Sequence, residues 1–235
     1  MNRVPFLFLG ILATLALSFW VLIFVPQTQI GQQQATNTLD TAELYPAPRS
    51  GLAKRGADVY RSEGCMECHT EQVRPPQLAT DYKHGWGARF TVAQDYLGDY
   101  PVMLGSQRIG PDLTNIGLRK PNRLWQLQHL YNPQAVVQGS MMPRYRYLFE
   151  KRRIIHDRSE NAIEVPGVPA GFEVVPSDRA EALVDYLLSL RAQVELFEAP
   201  VPRLPGAKTN APPAAAGTNA TNNASTTAPP ITPVK

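Results

Sequence analysis

The sequence predicts an all-α protein: one N-terminal membrane helix, a helical domain and a structureless C-terminal tail. Three observations carry this reading. Residues 4–25 form an apolar run that no charge interrupts. Segments near 52–60 and 183–190 repeat apolar residues at helical spacing, and no stretch between them alternates convincingly enough for a sheet. Residues 206–235 carry almost no large apolar groups.

The run VPFLFLGILATLALSFWVLIFV matches the ~20 apolar residues that cross a bilayer. The alternative is a cleaved signal peptide. Its small-residue cleavage pattern exists only weakly, at Thr14-Leu15-Ala16, and falls inside the run. The run also exceeds the usual core of such peptides, ~7–15 residues. We therefore read a retained anchor. Arg3 precedes the span and no Lys or Arg follows it until Arg49. The positive-inside rule then puts the N-terminus in the cytoplasm and the bulk of the chain outside. Residues 26–50 are polar and rich in Gln, Thr and Pro, which reads as a tether.

The folded domain is expected over 51–200. Leu52, Gly56, Val59 and Tyr60 share one helical face, and Gly56 either lets two helices cross closely or is merely tolerated. A second helix is expected at 122–131, ending at Asn132-Pro133. In a closing helix, Leu183, Val184, Leu187, Leu188 and Leu190 repeat at helical spacing. Asp178 with Glu181 reads as its capping box, and Pro176 keeps earlier residues out. The tail, 206–235, cannot bury enough surface to offset the entropy of ordering and is expected to be disordered.

Composition excludes one class of partner. A net charge of +3 with no long basic run gives no case for nucleic acid. Both cysteines of the 235-residue chain lie in Cys65-Met66-Glu67-Cys68-His69, so none remains for a disulfide framework. Cys-x-x-Cys-His is the attachment signature of a c-type haem. Each thiol adds to one vinyl group, two intervening residues bring both sulfurs to one edge of the macrocycle, and His69 reaches the iron. The rival is a zinc or dithiol site. Structural zinc wants four Cys or His ligands, but there is no second Cys pair, and His84, His129 and His156 are scattered. The second axial ligand is best sought in Ser140-Met141-Met142-Pro143, because Met/His ligation is a known cytochrome c arrangement. Met142 is favoured. Met141, Met103 and a bis-His iron through His129 remain open. Gly110-Pro111-Asp112-Leu113 reads as a turn followed by an apolar residue.

Three runs go further: GADVYRSEGCMECHTEQVRP, LGSQRIGPDLTNIG and HLYNPQAVVQGSMMPRY. Together they resemble the mono-haem subunit II of cbb3-type cytochrome c oxidases. The resemblance covers about 45–150 and the closing helix, and the single N-terminal span fits it. It implies a class I cytochrome c fold with one covalent haem c, His69 and Met142 as axial ligands, and Leu113 packed on the haem face. It also implies that the Pro111 carbonyl accepts a hydrogen bond from His69, fixing the ring. The implied role is electron transfer toward a catalytic haem–copper subunit, where oxygen chemistry occurs, with a di-haem cytochrome c subunit as a further partner. The chain itself would be a non-catalytic subunit, anchored in the inner membrane with its haem domain on the periplasmic side. A free-standing anchored cytochrome c shuttle is the main alternative.

Residues 151–177 and the tail do not match this pattern, and 78–100 match loosely. The loop from Glu71 to Ile109 holds Tyr82, Trp86, Phe90, Tyr96 and Tyr100, which either form a docking face or pin the loop to the domain. Arg108 and Arg119 are candidates for pairing with haem carboxylates, or are solvated surface charges.

Overall fold

The computed structural model describes residues 3–38 and 43–201. The tail expected at 206–235 lies outside them.

The apolar run forms helix α1, Val4–Ile30, of which no part of the span is buried by the rest of the protein. A helix apolar on all sides with nothing packed on it suits a lipid environment. At 1.5 Å per residue its 27 residues extend about 40 Å, beyond the ~30 Å hydrocarbon core. A π-turn at Trp20–Phe24 interrupts it just before Pro26. A proline ring clashes with the carbonyl four residues back, and a widened turn relieves that.

The helix therefore runs past residue 25, into the segment read as a tether. Described residues further along that segment are gripped as well. Strands β1 (Thr36–Asn37) and β2 (Leu44–Tyr45) pair antiparallel. Tyr45 is buried, and its hydroxyl donates to Asp95 at 2.5 Å.

Helix α2, Gly51–Ser62, starts at Ser50, whose side chain accepts from the Ala53 N–H. Short helices α3 (Ile116–Arg119), α4 (Arg123–Tyr131) and α5 (Pro133–Val136) follow. Asn122 caps α4 through the Trp125 N–H at 3.0 Å. The closing helix α6, Asp178–Ser189, is capped by Ser177, which accepts from the Ala180 N–H. The cap thus lies one residue before the expected Asp178. Asp178 and Glu181 occupy the first turn instead, where carboxylates favour the dipole.

α2 and α6 cross in close contact, with the rings of Tyr60 and Tyr186 5.3 Å apart. Gly56 sits at the crossing: a Cβ there would collide with the Ala182 carbonyl. α4 is tied to α6 by Arg123, which donates to Glu181 and Asp185. The core between these helices holds Tyr60, Leu148, Leu183, Val184 and Tyr186.

The all-α expectation needs correction. Strands β3 (Phe149–Arg153) and β4 (Phe172–Pro176) pair antiparallel, with Phe149 opposite Pro176 and Arg153 opposite Phe172. Neither strand alternates. β3 buries only Phe149, whereas β4 buries four consecutive residues after Phe172, so the period-2 signal is lost on both. The excursion over 154–171 is pinned where the Ser159 N–H donates to the buried Glu173 at 2.8 Å and Ile163 bridges to Val174.

Candidate haem site

Cys65 and His69 lie on one backbone turn, since the N–H groups of Cys68 and His69 both donate to the Cys65 carbonyl at 3.2 and 3.0 Å. That turn brings the two cysteines and the imidazole to the wall of one cavity of about 430 Å³. The volume falls within the ~300–1,000 Å³ of small-molecule and cofactor sites.

A second segment, 104–113, is stitched to this turn. Gly110 N–H donates to the Cys68 carbonyl at 2.9 Å, and Leu113 N–H to the Thr70 carbonyl at 2.8 Å. Asp112, fully buried, completes the seam. It accepts from the Thr70 hydroxyl at 2.6 Å and from the Gln72 and Thr114 N–H groups at 2.8 and 2.9 Å. Sequence reasoning passed over Asp112. Its place in a Gly-Pro-Asp turn, where Asp side chains satisfy nearby N–H groups, was the available signal.

The seam sets the histidine. His69 Nδ1 lies 2.7 Å from the Pro111 carbonyl, so Nδ1 carries the proton and Nε2 is left for a ligand. Gly110 presses on the ring: a Cβ there would collide with the imidazole. Burial holds His69 below the ordinary histidine pKa, against the pull of the Pro111 hydrogen bond. The imidazole is therefore neutral near pH 7, the form that binds metal. Burial also pushes the Cys65 thiol up to about 12. A thiol so protonated is a poor dithiol redox centre, because the thiolate is the reactive form. Among the described residues no three His, Cys, Asp or Glu side chains cluster as a metal site.

Leu113, Ile116, Leu130 and Leu187 make the cavity walls apolar. Met142 lines the cavity and packs partly buried against the core, whereas Met141 is 79% exposed at its rim. Met103 is buried in the core and does not line the cavity. His129 does line it, on α4, with burial pushing its pKa down to about 4.

The two arginines separate. Arg108 is spent within the long loop: it donates to Thr70 at 2.8 Å, to Asp81 at 2.6 Å and to the Gln72 carbonyl at 2.5 Å, and it lies over Trp86. Arg119 lines the cavity and donates to the Asp112 carbonyl, but its Nε is buried without a hydrogen-bond partner among the described residues. Of the loop aromatics, Tyr82, Trp86, Phe90 and Tyr96 are half-buried and pin the loop, Tyr96 through a 2.7 Å bond to the Glu71 carbonyl. Tyr100 is fully exposed.

A turn carrying Cys-x-x-Cys-His, a fixed imidazole and an apolar cavity with a methionine on its wall define a small cytochrome-type site. Comparison with family profiles agrees and is more specific. Residues 1–190 match the family of the cytochrome c oxidase mono-heme subunit, FixO. The chain belongs to that family, and the exposed apolar α1 is consistent with a membrane-anchored subunit. Comparison with curated proteins finds no match.

Proposed function

We propose that the chain is the electron-transfer subunit of a cbb3-type cytochrome c oxidase, carrying one haem c bound through Cys65 and Cys68. Each thiol S–H adds across a vinyl C=C, giving two thioethers. His69 Nε2 and the Met142 thioether would hold the iron. When bound, the haem iron takes up and releases one electron.

The protein's own contributions follow from the cavity. Pro111 orients His69 through its carbonyl, and Leu113 covers the haem face. Apolar walls exclude water and favour the less charged iron. Of the two candidate arginines, Arg119 lines the cavity and is left to pair with a haem carboxylate, whereas Arg108 is held by Thr70, Asp81 and Gln72. The domain stands on the periplasmic side of the inner membrane, beside a catalytic haem–copper subunit and a di-haem subunit. The observation that carries the reading is the 2.7 Å His69–Pro111 contact in a cavity shared with both cysteines and Met142.

The test is to change Cys65 and Cys68 to Ala and to purify through a tag on the haem–copper subunit. Wild type should give a haem-stained band at about 26.0 kDa in a denaturing gel, and the variant none. A wild-type chain with covalent haem that never co-purifies with a haem–copper subunit would favour the free-standing shuttle.

A further inference from the structure

His129 is a cavity residue to which the function above assigns no role. Helix α4 fixes it in the same cavity as His69 and Met142. Its ring lies flat on Trp125, 4.7 Å between centroids and 8° between planes. Its Nδ1 is buried with no hydrogen-bond partner among the described residues. An unsatisfied buried nitrogen in a native fold calls for an explanation, and a ligand or cofactor role is one. The cavity lining holds no Asp or Glu that would pair with it as a cation.

The supports of the two candidate ligands differ. Met142 sits on an irregular segment between α5 and β3. Around Met142 that segment is held by side-chain bonds from Gln134 to the Ser140 and Met142 carbonyls at 3.2 and 2.9 Å, and its backbone rejoins α4 at Tyr145, whose N–H donates to the Leu130 carbonyl at 3.0 Å. His129 stands on a hydrogen-bonded helix whose Leu127, Leu130 and Tyr131 are buried in the core. If the loop moves, the thioether leaves while the imidazole stays. Neutral imidazole is a good iron ligand, and burial keeps His129 neutral.

We propose that His129 is a reserve axial ligand: when the Met142 thioether leaves the iron, an imidazole nitrogen of His129 binds in its place. One Fe–S bond breaks and one Fe–N bond forms, with no change in electrons. The iron becomes bis-histidine and its potential falls, because the thioether that favours reduced iron is gone. This rests on the haem reading above.

The experiment compares full-length holo-protein in detergent as wild type, Met142→Ala, and Met142→Ala with His129→Phe, by electron paramagnetic resonance and near-infrared magnetic circular dichroism. Met142→Ala should stay low-spin with a bis-histidine signature, and adding His129→Phe should convert it to high-spin. A high-spin Met142→Ala protein overturns the proposal. So does a low-spin one that His129→Phe leaves unchanged, with Lys120 or Met141 then the ligand. If Met142→Ala does not assemble, the thioether is oxidised to the sulfoxide in assembled wild type and His129→Phe, with the same readout. Absence of any haem spectrum in wild type would instead defeat the haem reading.

Discussion

Replacing Gly56 by Ala tests how the domain's two longest helices meet. A new Cβ would collide with the Ala182 carbonyl and stand 2.7 Å from the Tyr186 Cβ. Both obstacles are at or next to the backbone, so no side-chain rotation relieves them. The helices must part, which loosens the Tyr60–Tyr186 contact. Overpacking costs about 1–3 kcal/mol, and fixed atoms place this site at the upper end. Alanine returns about 1 kcal/mol of helix propensity. The net loss is about 2 kcal/mol, or roughly 4–8 °C in Tm at about 2–4 °C per kcal/mol for a domain of this size. Gly51→Ala is the control in the same helix, because nothing lies within 4 Å of its Cβ position. It should be neutral or slightly stabilising. Both are measured by thermal unfolding of holo-protein followed by far-ultraviolet circular dichroism. A Gly56→Ala protein that melts with or above Gly51→Ala would refute the close crossing.

Three further outcomes follow. Arg89→Met leaves the buried Asp95 carboxylate, 2% exposed, without its cationic partner, with the Tyr45 hydroxyl and the Val92 N–H still donating to it, and should cost about 3–5 kcal/mol in denaturant unfolding; it should also speed proteolysis near Tyr45. Glu71 is fully buried with its pKa raised, chiefly by burial, from 4.5 to about 7. The folded state therefore holds a proton that the unfolded chain has lost, and stability falls as pH rises through that window; Glu71→Gln should flatten the slope there, and equal slopes would show the carboxyl already ionised in the fold. Leu15→Arg, at the middle of the apolar run 4–25, should weaken membrane insertion by about 2.5–3.5 kcal/mol, read as the glycosylated fraction in an insertion assay.

What the sequence disclosed tracks how local the physics is. Cys65, Cys68 and His69 are close in sequence and fall on one turn, so their meeting at one cavity wall was legible from the spacing alone. Met142 was legible by type and neighbourhood, but choosing it over Met141 rests on burial that only the packed core defines. The Arg108–Arg119 distinction was invisible, because it depends on Asp81, Thr70 and Gln72 capturing one guanidinium across some 27–38 residues of chain. The β3–β4 pair was missed because the core covers four consecutive residues of one strand and a single residue of the other. Serine and aspartate are adjacent at 177–178 and both cap well, so sequence could not choose between them.

The grip on Thr36, Tyr45 and Arg49 bears on whether the domain is a subunit or a shuttle. Read as a free tether, residues 26–50 would let the domain range up to about 85 Å from the bilayer. Helix α1 instead runs to Ile30, and Thr36 already accepts from Gln94 at 2.7 Å. Arg89, fully buried, reaches Tyr45, Asp95 and the Val194 carbonyl together, while Arg49 pairs with Asp99. The chain left to swing is 31–35, whose full extension is under about 20 Å. A linker that short keeps the haem domain at high effective concentration beside whatever α1 packs against, and withholds it from distant acceptors. Such an arrangement suits electron transfer within one complex. A carrier moving between complexes would need the longer reach that Tyr45 and Arg89 remove.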